Sequence, residues 1–190
     1  LEAQTLAVSA PPPVYEPTIY SSAYRSQTVS VTNDSLSFAV PAGLDDPALF
    51  VFLALLDDQQ DTSLLNTHSV KWGGSGGVAL ALVPGSQSQI QTNVRTVYGA
   101  WFYLLNPTPQ DSTIYWSTRV GQTIAATTLA AVLVENVSDE DAIGAVNVGN
   151  YSSSNAPQAI VTAETGASLL LYGWNTRNVF QLHHRRWRVD

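Results

Sequence analysis

Nine consecutive apolar residues, Ala48-Leu49-Phe50-Val51-Phe52-Leu53-Ala54-Leu55-Leu56, narrow what this chain can become more than any other feature. A run without alternation cannot show one face to water, so a strand built from it must be covered on both sides. As a helix it is far too short to cross a bilayer, which takes roughly 20 residues. Phe and Val favour an extended backbone, and Asp57-Asp58-Gln59-Gln60-Asp61 ends the run in charge and amide. The run is expected to be a central strand of a layered β structure.

The flanking segments carry a period of two, the spacing of half-buried strands. Val29 and Val31 alternate with Ser and Thr. Leu36, Phe38 and Val40 do the same until Pro41-Ala42-Gly43. Val70-Lys71-Trp72 leads into a Gly73–Gly77 turn, and Val78 to Val83 returns from it. Val94 to Leu105 is an aromatic strand stopped by Asn106-Pro107-Thr108-Pro109, and Thr113 to Thr118 follows. Thr128 to Val137, Ala159 to Thr162 and Ser168 to Trp174 complete the series. Only Asp45 to Ala48 and Asp139 to Ile143 could hold a helical turn. Strands at this spacing predict an all-β fold, a two-sheet antiparallel β-sandwich or jelly-roll-like domain over residues 27–178. Phe50, Phe52, Leu53, Leu55, Leu129, Val132, Leu133 and Leu170 are its expected core.

Both ends depart from this pattern. Residues 1–26 form an extended arm rich in Pro and Tyr, with Ala10-Pro11-Pro12-Pro13 and Pro17 favouring a polyproline-like path. Tyr15, Ile19, Tyr20 and Tyr24 supply apolar surface that an arm can lay across a subunit boundary. Residues 179–190 form a basic tail. Its Arg185, Arg186 and Arg188, beside Trp187, are three of only eight basic residues in a chain of net charge −7. Arginine pairs in a fork with carboxylates, so the tail fits an acidic patch on a neighbouring copy.

Several chemistries are excluded or weak. With Lys71 the only lysine and a net charge of −7, the surface repels phosphate backbones, so nucleic acid is not an expected partner. The chain has no cysteine, hence no disulfide, thiolate nucleophile or Cys-based zinc site. Asp57, Asp58 and Asp61, and later Asp139, Glu140 and Asp141, could pair as acid and base or bind Ca²⁺. Neither cluster has EF-hand spacing, and acids that keep loops solvated explain them better. His68 stands alone. His183 and His184 are adjacent on an extended segment and face opposite ways. Ser75, in Gly-Gly-Ser-Gly-Gly, is a turn residue rather than a nucleophile. Trp72, Trp101, Trp116 and Trp174 could stack on sugars but suit a sandwich core better. No cofactor, metal or membrane span is expected.

The order of landmarks resembles a known module. Ser69-Val70-Lys71-Trp72-Gly73-Gly74 followed by Val78-Ala79-Leu80-Ala81-Leu82-Val83 is similar to a hairpin, and Trp101-Phe102-Tyr103-Leu104-Leu105-Asn106-Pro107 to the strand end after it. Thr128 to Val137 looks like the next core strand and Ile143-Gly144 its closing loop. This order resembles β-sandwich modules of bacteriophage virion proteins and bacterial surface proteins, over roughly Gln27 to Trp174. The Gly73–Gly77 turn is longer than in that pattern. The resemblance implies a structural or adhesive role. The expected function is therefore a non-enzymatic structural protein, located in a virion or outside the cell. It would be a decoration or tail component, or a filament subunit whose arm exchanges between subunits. Its partners would be copies of itself and a capsid or tail protein. The alternative is a carbohydrate-binding module for a surface glycan; a glycoside hydrolase comes last.

Overall fold

The computed structural model describes residues 17–28, 30–58, 68–91, 95–118, 123–137, 143 and 146, and the backbone of 166–175 and 180–189. Twelve strands occur among them: β1 (Thr18–Gln27), β2 (Asn33–Val40), β3 (Ala48–Asp57), β4 (Ser69–Trp72), β5 (Val78–Ala79) and β6 (Ala81–Leu82) in the first half. The second half contributes β7 (Ser88–Gln91), β8 (Thr96–Leu105), β9 (Gln110–Ser117), β10 (Ala126–Glu135), β11 (Gly166–Asn175) and β12 (Phe180–Val189). All pairings are antiparallel. The large sheet runs β1-β10-β3-β8-β6, with β7 also on β8, and the small sheet runs β2-β9-β4-β5. Successive long strands cross from one sheet to the other, which is the strand order of a jelly roll. The expected all-β, two-sheet architecture is what the chain adopts.

The two sheets face each other over one core. Leu49, Val51, Leu53 and Leu55 of β3, Leu129, Ala131 and Leu133 of β10, and Tyr98, Ala100 and Phe102 of β8 point inward from the large sheet. Leu36, Phe38 and Val40 of β2, Val70 and Trp72 of β4, and Ile114 and Trp116 of β9 meet them from the small one. Each set recurs at every second residue, as a pleated strand demands.

The other residues of the apolar run form a second, smaller core on the outer face of the large sheet. Ala48 and Phe50 cluster there with Val132, Val134 and Val137, and Ile19, Trp101, Tyr103, Leu105 and Ile143 pack against them. Phe52, Ala54 and Ala130 continue the face. Phe52 packs on Trp101 with ring centroids 5.2 Å apart, and Phe50 stacks on Tyr103 at 6.5 Å. Gly99, opposite Ala54 on β8, makes room for this aromatic layer, because a Cβ there would lie 3.2 Å from the Phe52 ring. Seven of the eight core residues expected from sequence are buried; the side chain of Leu170 lies outside the described residues.

The predicted strand Val78 to Val83 is broken. Val78 and Ala79 pair with β4, while Ala81 and Leu82 pair with β8, so the chain changes sheets at Leu80. The Leu80 side chain turns into the core between the sheets, and its N–H donates to the Val70 carbonyl. A corner of this kind closes one side of a sandwich covalently. The preceding turn depends on Gly77, where any Cβ would collide with the Trp72 carbonyl.

Four other expectations are corrected. The arm was expected to lack strand structure up to Ser26, yet its second half is β1, paired with β10 from Thr18↔Glu135 to Gln27↔Thr127. The boundary at residue 27 thus falls within a strand. Val31, expected in a strand of its own, makes a single bridge to Ile124 in the β1–β2 connection; Val29 lies outside the described residues. The segment expected to be a tail from 179 is β12, which forms a separate two-stranded sheet with β11. Asp45 and Asp46 form a bend, not a helical turn. The expected strand Ala159 to Thr162 lies outside the described residues, as do positions 139–142 of the second candidate turn.

Phe52→Ala removes a ring wedged between Gly99 and Trp101 on a strand covered on both faces. It is expected to lower unfolding free energy by about 3–5 kcal/mol, measured as a shift of the urea midpoint at unchanged slope.

Candidate functional site

One side of the sandwich is closed by the β5–β6 corner; the other ends in two long, open edges. β1 terminates the large sheet and β2 the small one, and no described strand pairs with the outer side of either. A free edge presents unpaired N–H and C=O groups to any chain able to join the ladder. On β1 that edge is ten residues long, and Arg25 is its only charged residue.

The side chains of β1 explain why it was hard to recognise. A bulge at Tyr20, between the pairs Ile19↔Val134 and Ser21↔Leu133, shifts the alternation by one residue. Beyond it, Ala23 is the inward-facing apolar residue, packed against the main core. None of the ten residues is fully buried. Tyr20 is 52% exposed and Tyr24 73%, the two largest exposed apolar side chains among the described residues. Tyr24 sits in a cross-strand row with Ala130, Phe52 and Trp101, so it continues the aromatic layer to the sheet edge.

Polar contacts fix β1 at its C-terminal end. Asp34 of β2 lies at inward parity with Leu36, Phe38 and Val40, and its carboxylate is nearly buried. Its Oδ1 takes the Arg25 Nε at 3.3 Å, a hydrogen bond from Gln27 Nε2 at 3.2 Å and one from its neighbour's N–H, Ser35, at 2.7 Å. Asp34 Oδ2, Trp116 Nε1 on the paired strand and Thr127 Oγ1 opposite Gln27 are buried with no hydrogen-bond partner among the described residues. Thr128 Oγ1 donates to Ser26 Oγ at 3.1 Å, and the Ser26 hydroxyl lies 3.4 Å from the Thr127 carbonyl. Asp34 ties the edge strand of one sheet to the edge strand of the other. Sequence reasoning missed this role, although the signal was present: a carboxylate two residues before an inward-facing Leu-x-Phe-x-Val series.

Of the residues expected to mediate assembly, Ile19, Tyr20 and Tyr24 lie together on β1, and Tyr15 is outside the described residues. Arg185, Arg186, Trp187 and Arg188 are on β12, in register with Leu170, Leu169, Ser168 and Ala167 of β11. The structure pairs β12 with β11 and β1 with β10, so it does not join arm and tail in one ladder.

Residues weighed for chemistry take structural positions. Asp57 is buried at the end of β3 and Asp58 pairs with Arg95 Nε at 2.9 Å; Asp61, Asp139, Glu140 and Asp141 lie outside the described residues. No group of three metal-ligating side chains occurs among the described residues. Ser75 belongs to the turn, where its carbonyl accepts from Lys71 Nζ at 2.8 Å. Trp72 and Trp116 are core residues, Trp72 donating its indole N–H to the Thr108 carbonyl at 3.2 Å. His68 packs on Tyr98 and Trp116. Burial raises the Tyr98 phenol above its ordinary pKa of 10.0, partly offset by a hydrogen bond from Gln87. No helix among the described residues is long and apolar enough to cross a membrane. Compared with protein-family models, curated proteins and solved structures, the chain matches none.

Two outcomes are expected. Asp34→Ala deprives Arg25, Gln27 and Ser35 of their shared acceptor. It should cost about 1–3 kcal/mol and speed amide exchange selectively in β1. Because Tyr98 ionises at higher pH folded than unfolded, its contribution to stability is complete below pH 10 and is lost as pH rises towards its folded pKa. Tyr98→Phe should flatten that alkaline loss in melting curves taken across the range.

Proposed function

We propose that this protein is a structural subunit of an ordered homo-oligomeric assembly. It would act as a decoration or tail component at a virion surface, or as a subunit of an extracellular filament. One observation carries this reading. Among the described residues, the longest open edge of the sandwich, β1, also bears the two most exposed aromatic side chains, Tyr20 and Tyr24. Tyrosine supplies large contact area at little entropic cost, and it is over-represented where interfaces concentrate their energy. An open ladder beside exposed aromatics suits strand addition by another chain.

Jelly-roll order serves virion and lectin domains alike, so the fold does not choose between them. The placement of the tryptophans bears on the choice. A sugar platform needs exposed indoles; Trp72 and Trp116 are enclosed in the core and Trp101 is partly buried against Phe52, while the side chains of Trp174 and Trp187 lie outside the described residues. The resemblance in the order of sequence landmarks to virion and surface modules supports the same role, with a capsid or tail protein as the further partner.

Light scattering and sedimentation test the proposal. The full chain should grow in mass with concentration, and Tyr20→Ser with Tyr24→Ser should weaken association roughly tenfold or more. Both residues are exposed, so the melting temperature should hold. A full chain that stays monomeric at its highest soluble concentration would overturn the assembly reading, and binding on a glycan array would then support the carbohydrate-binding alternative.

A further inference from the structure

We propose that β1 is exchanged between copies, so that Thr18–Gln27 of one chain completes the large sheet of a neighbour along β10. This inference rests on the assembly reading and names the element that would carry it.

The two strands in this pair are unequal. Every interior position of β10, from Thr127 to Val134, is buried, whereas no residue of β1 is. β10 therefore needs a partner along its edge, while β1 leaves little of the core behind when it departs. What holds β1 is a backbone ladder, a set of polar contacts and the part-buried Ile19 and Ala23, and an identical strand from another copy restores all of them. Exchange of an identical element is a low-cost route to assembly for this reason.

Register is set by the same contacts. Arg25 carries the strand's one charge, and it reaches the nearly buried carboxylate of Asp34. A slip of one residue would turn Arg25 to the outer, apolar face and leave Asp34 without its cation. An incoming strand is thus selected by charge as well as by hydrogen bonding. Val31 and Thr32 of the connection to β2 are held by backbone hydrogen bonds to Ile124 and Thr118, so the hinge falls in residues 28–30, which can span up to about 10 Å when extended. That reach lets β1 leave its own β10 while β2 keeps its place. The occupant of the β10 edge is therefore a second copy of this chain.

The absence of cysteine makes a direct test available. Ser26 and Thr128 face each other across the ladder with hydroxyl oxygens 3.1 Å apart, a separation suited to a disulfide between cysteines placed there. Ser26→Cys and Thr128→Cys are prepared in separate chains, mixed before assembly and oxidised. Exchange predicts covalent heterodimers whose bond joins positions 26 and 128, identified by peptide mapping. Assembly without that bond overturns exchange and leaves the assembly reading intact. Assembly with bonds joining position 26 to position 26 means edge-to-edge contact of two β1 strands, and likewise overturns it. Failure of the wild-type chain to assemble defeats both.

A second variant guards against misfolding. With both cysteines in one chain, oxidised at high dilution, β1 is tied to its own β10. This chain should keep its circular dichroism spectrum, associate at least tenfold more weakly and recover on reduction. Equal assembly by the tied chain would contradict exchange. Excess synthetic peptide Thr18–Gln27 added to the wild-type chain should compete for β10 and lower the mean mass of the assembly; an unchanged mass would also contradict it.

Discussion

The pairing of β3 with β10 is the constraint on which the rest of the molecule depends. Nine residue pairs, from Ala126↔Leu56 to Val134↔Ala48, join two strands that are apolar on both faces. No arrangement with one wet face can satisfy them. The small sheet covers one side through Trp72, Trp116 and Ile114. On the other, an aromatic layer builds up around Phe50 and Phe52, with Val137 and Ile143 packed against it. Positive-φ residues just beyond the strands help to hold this centre together. Asn106 and Asn136 donate their N–H groups to the carbonyls of Pro47 and Asp45, the loop that feeds β3.

From that centre the two sides of the sandwich are finished differently. On one, the chain passes from the small sheet to the large one at Leu80, and the strands there are only two to four residues long. Short, covalently linked edges give little template to another chain. On the other, β1 and β2 run ten and eight residues with nothing described beyond them. The link between those two strands is electrostatic, through Arg25 and Asp34, rather than hydrophobic. A half-exposed ion pair adds modestly to stability, but leaving the nearly buried Asp34 carboxylate without a cation is costly. Asp34 thus favours one register for β1 more than it adds to the strength with which β1 is held.

This asymmetry is what gives the assembly reading its physical content. An edge strand that is weakly packed, nearly uncharged and lined with exposed tyrosine is poorly suited to a chain that stays alone. The same properties suit a strand that is shared or extended by a neighbour. The proposed location at a virion surface or in an extracellular filament adds nothing to the geometry. It is proposed from the resemblance in the order of sequence landmarks and from a composition poor in charge.

Much of the fold was legible in the sequence because burial there is periodic. The nine-residue apolar run fixed a strand covered twice, and the Leu36-x-Phe38-x-Val40 alternation fixed a strand covered once. Glycines marked the turn after Trp72. The sequence also singled out Ile19, Tyr20 and Tyr24, with Tyr15, as apolar surface of the arm; of these Tyr20 and Tyr24 are exposed and Ile19 packs against the outer cluster. What it could not yield was the place of β1. β1 buries nothing completely, so it has no hydrophobic period, and the bulge at Tyr20 erased the polar one. The change of sheet at Leu80 was equally silent, since apolar alternation looks the same whichever sheet supplies the ladder. Asp34 has no role that sequence can assign until β1 brings Arg25 and Gln27 to it. Sequence by itself determined which residues must leave water; tertiary structure alone decided which strands lie side by side and which edge stays open. Burial is a property of each residue and its near neighbours in the chain, whereas pairing is a property of segments about a hundred residues apart, as Gln27 and Thr127 are.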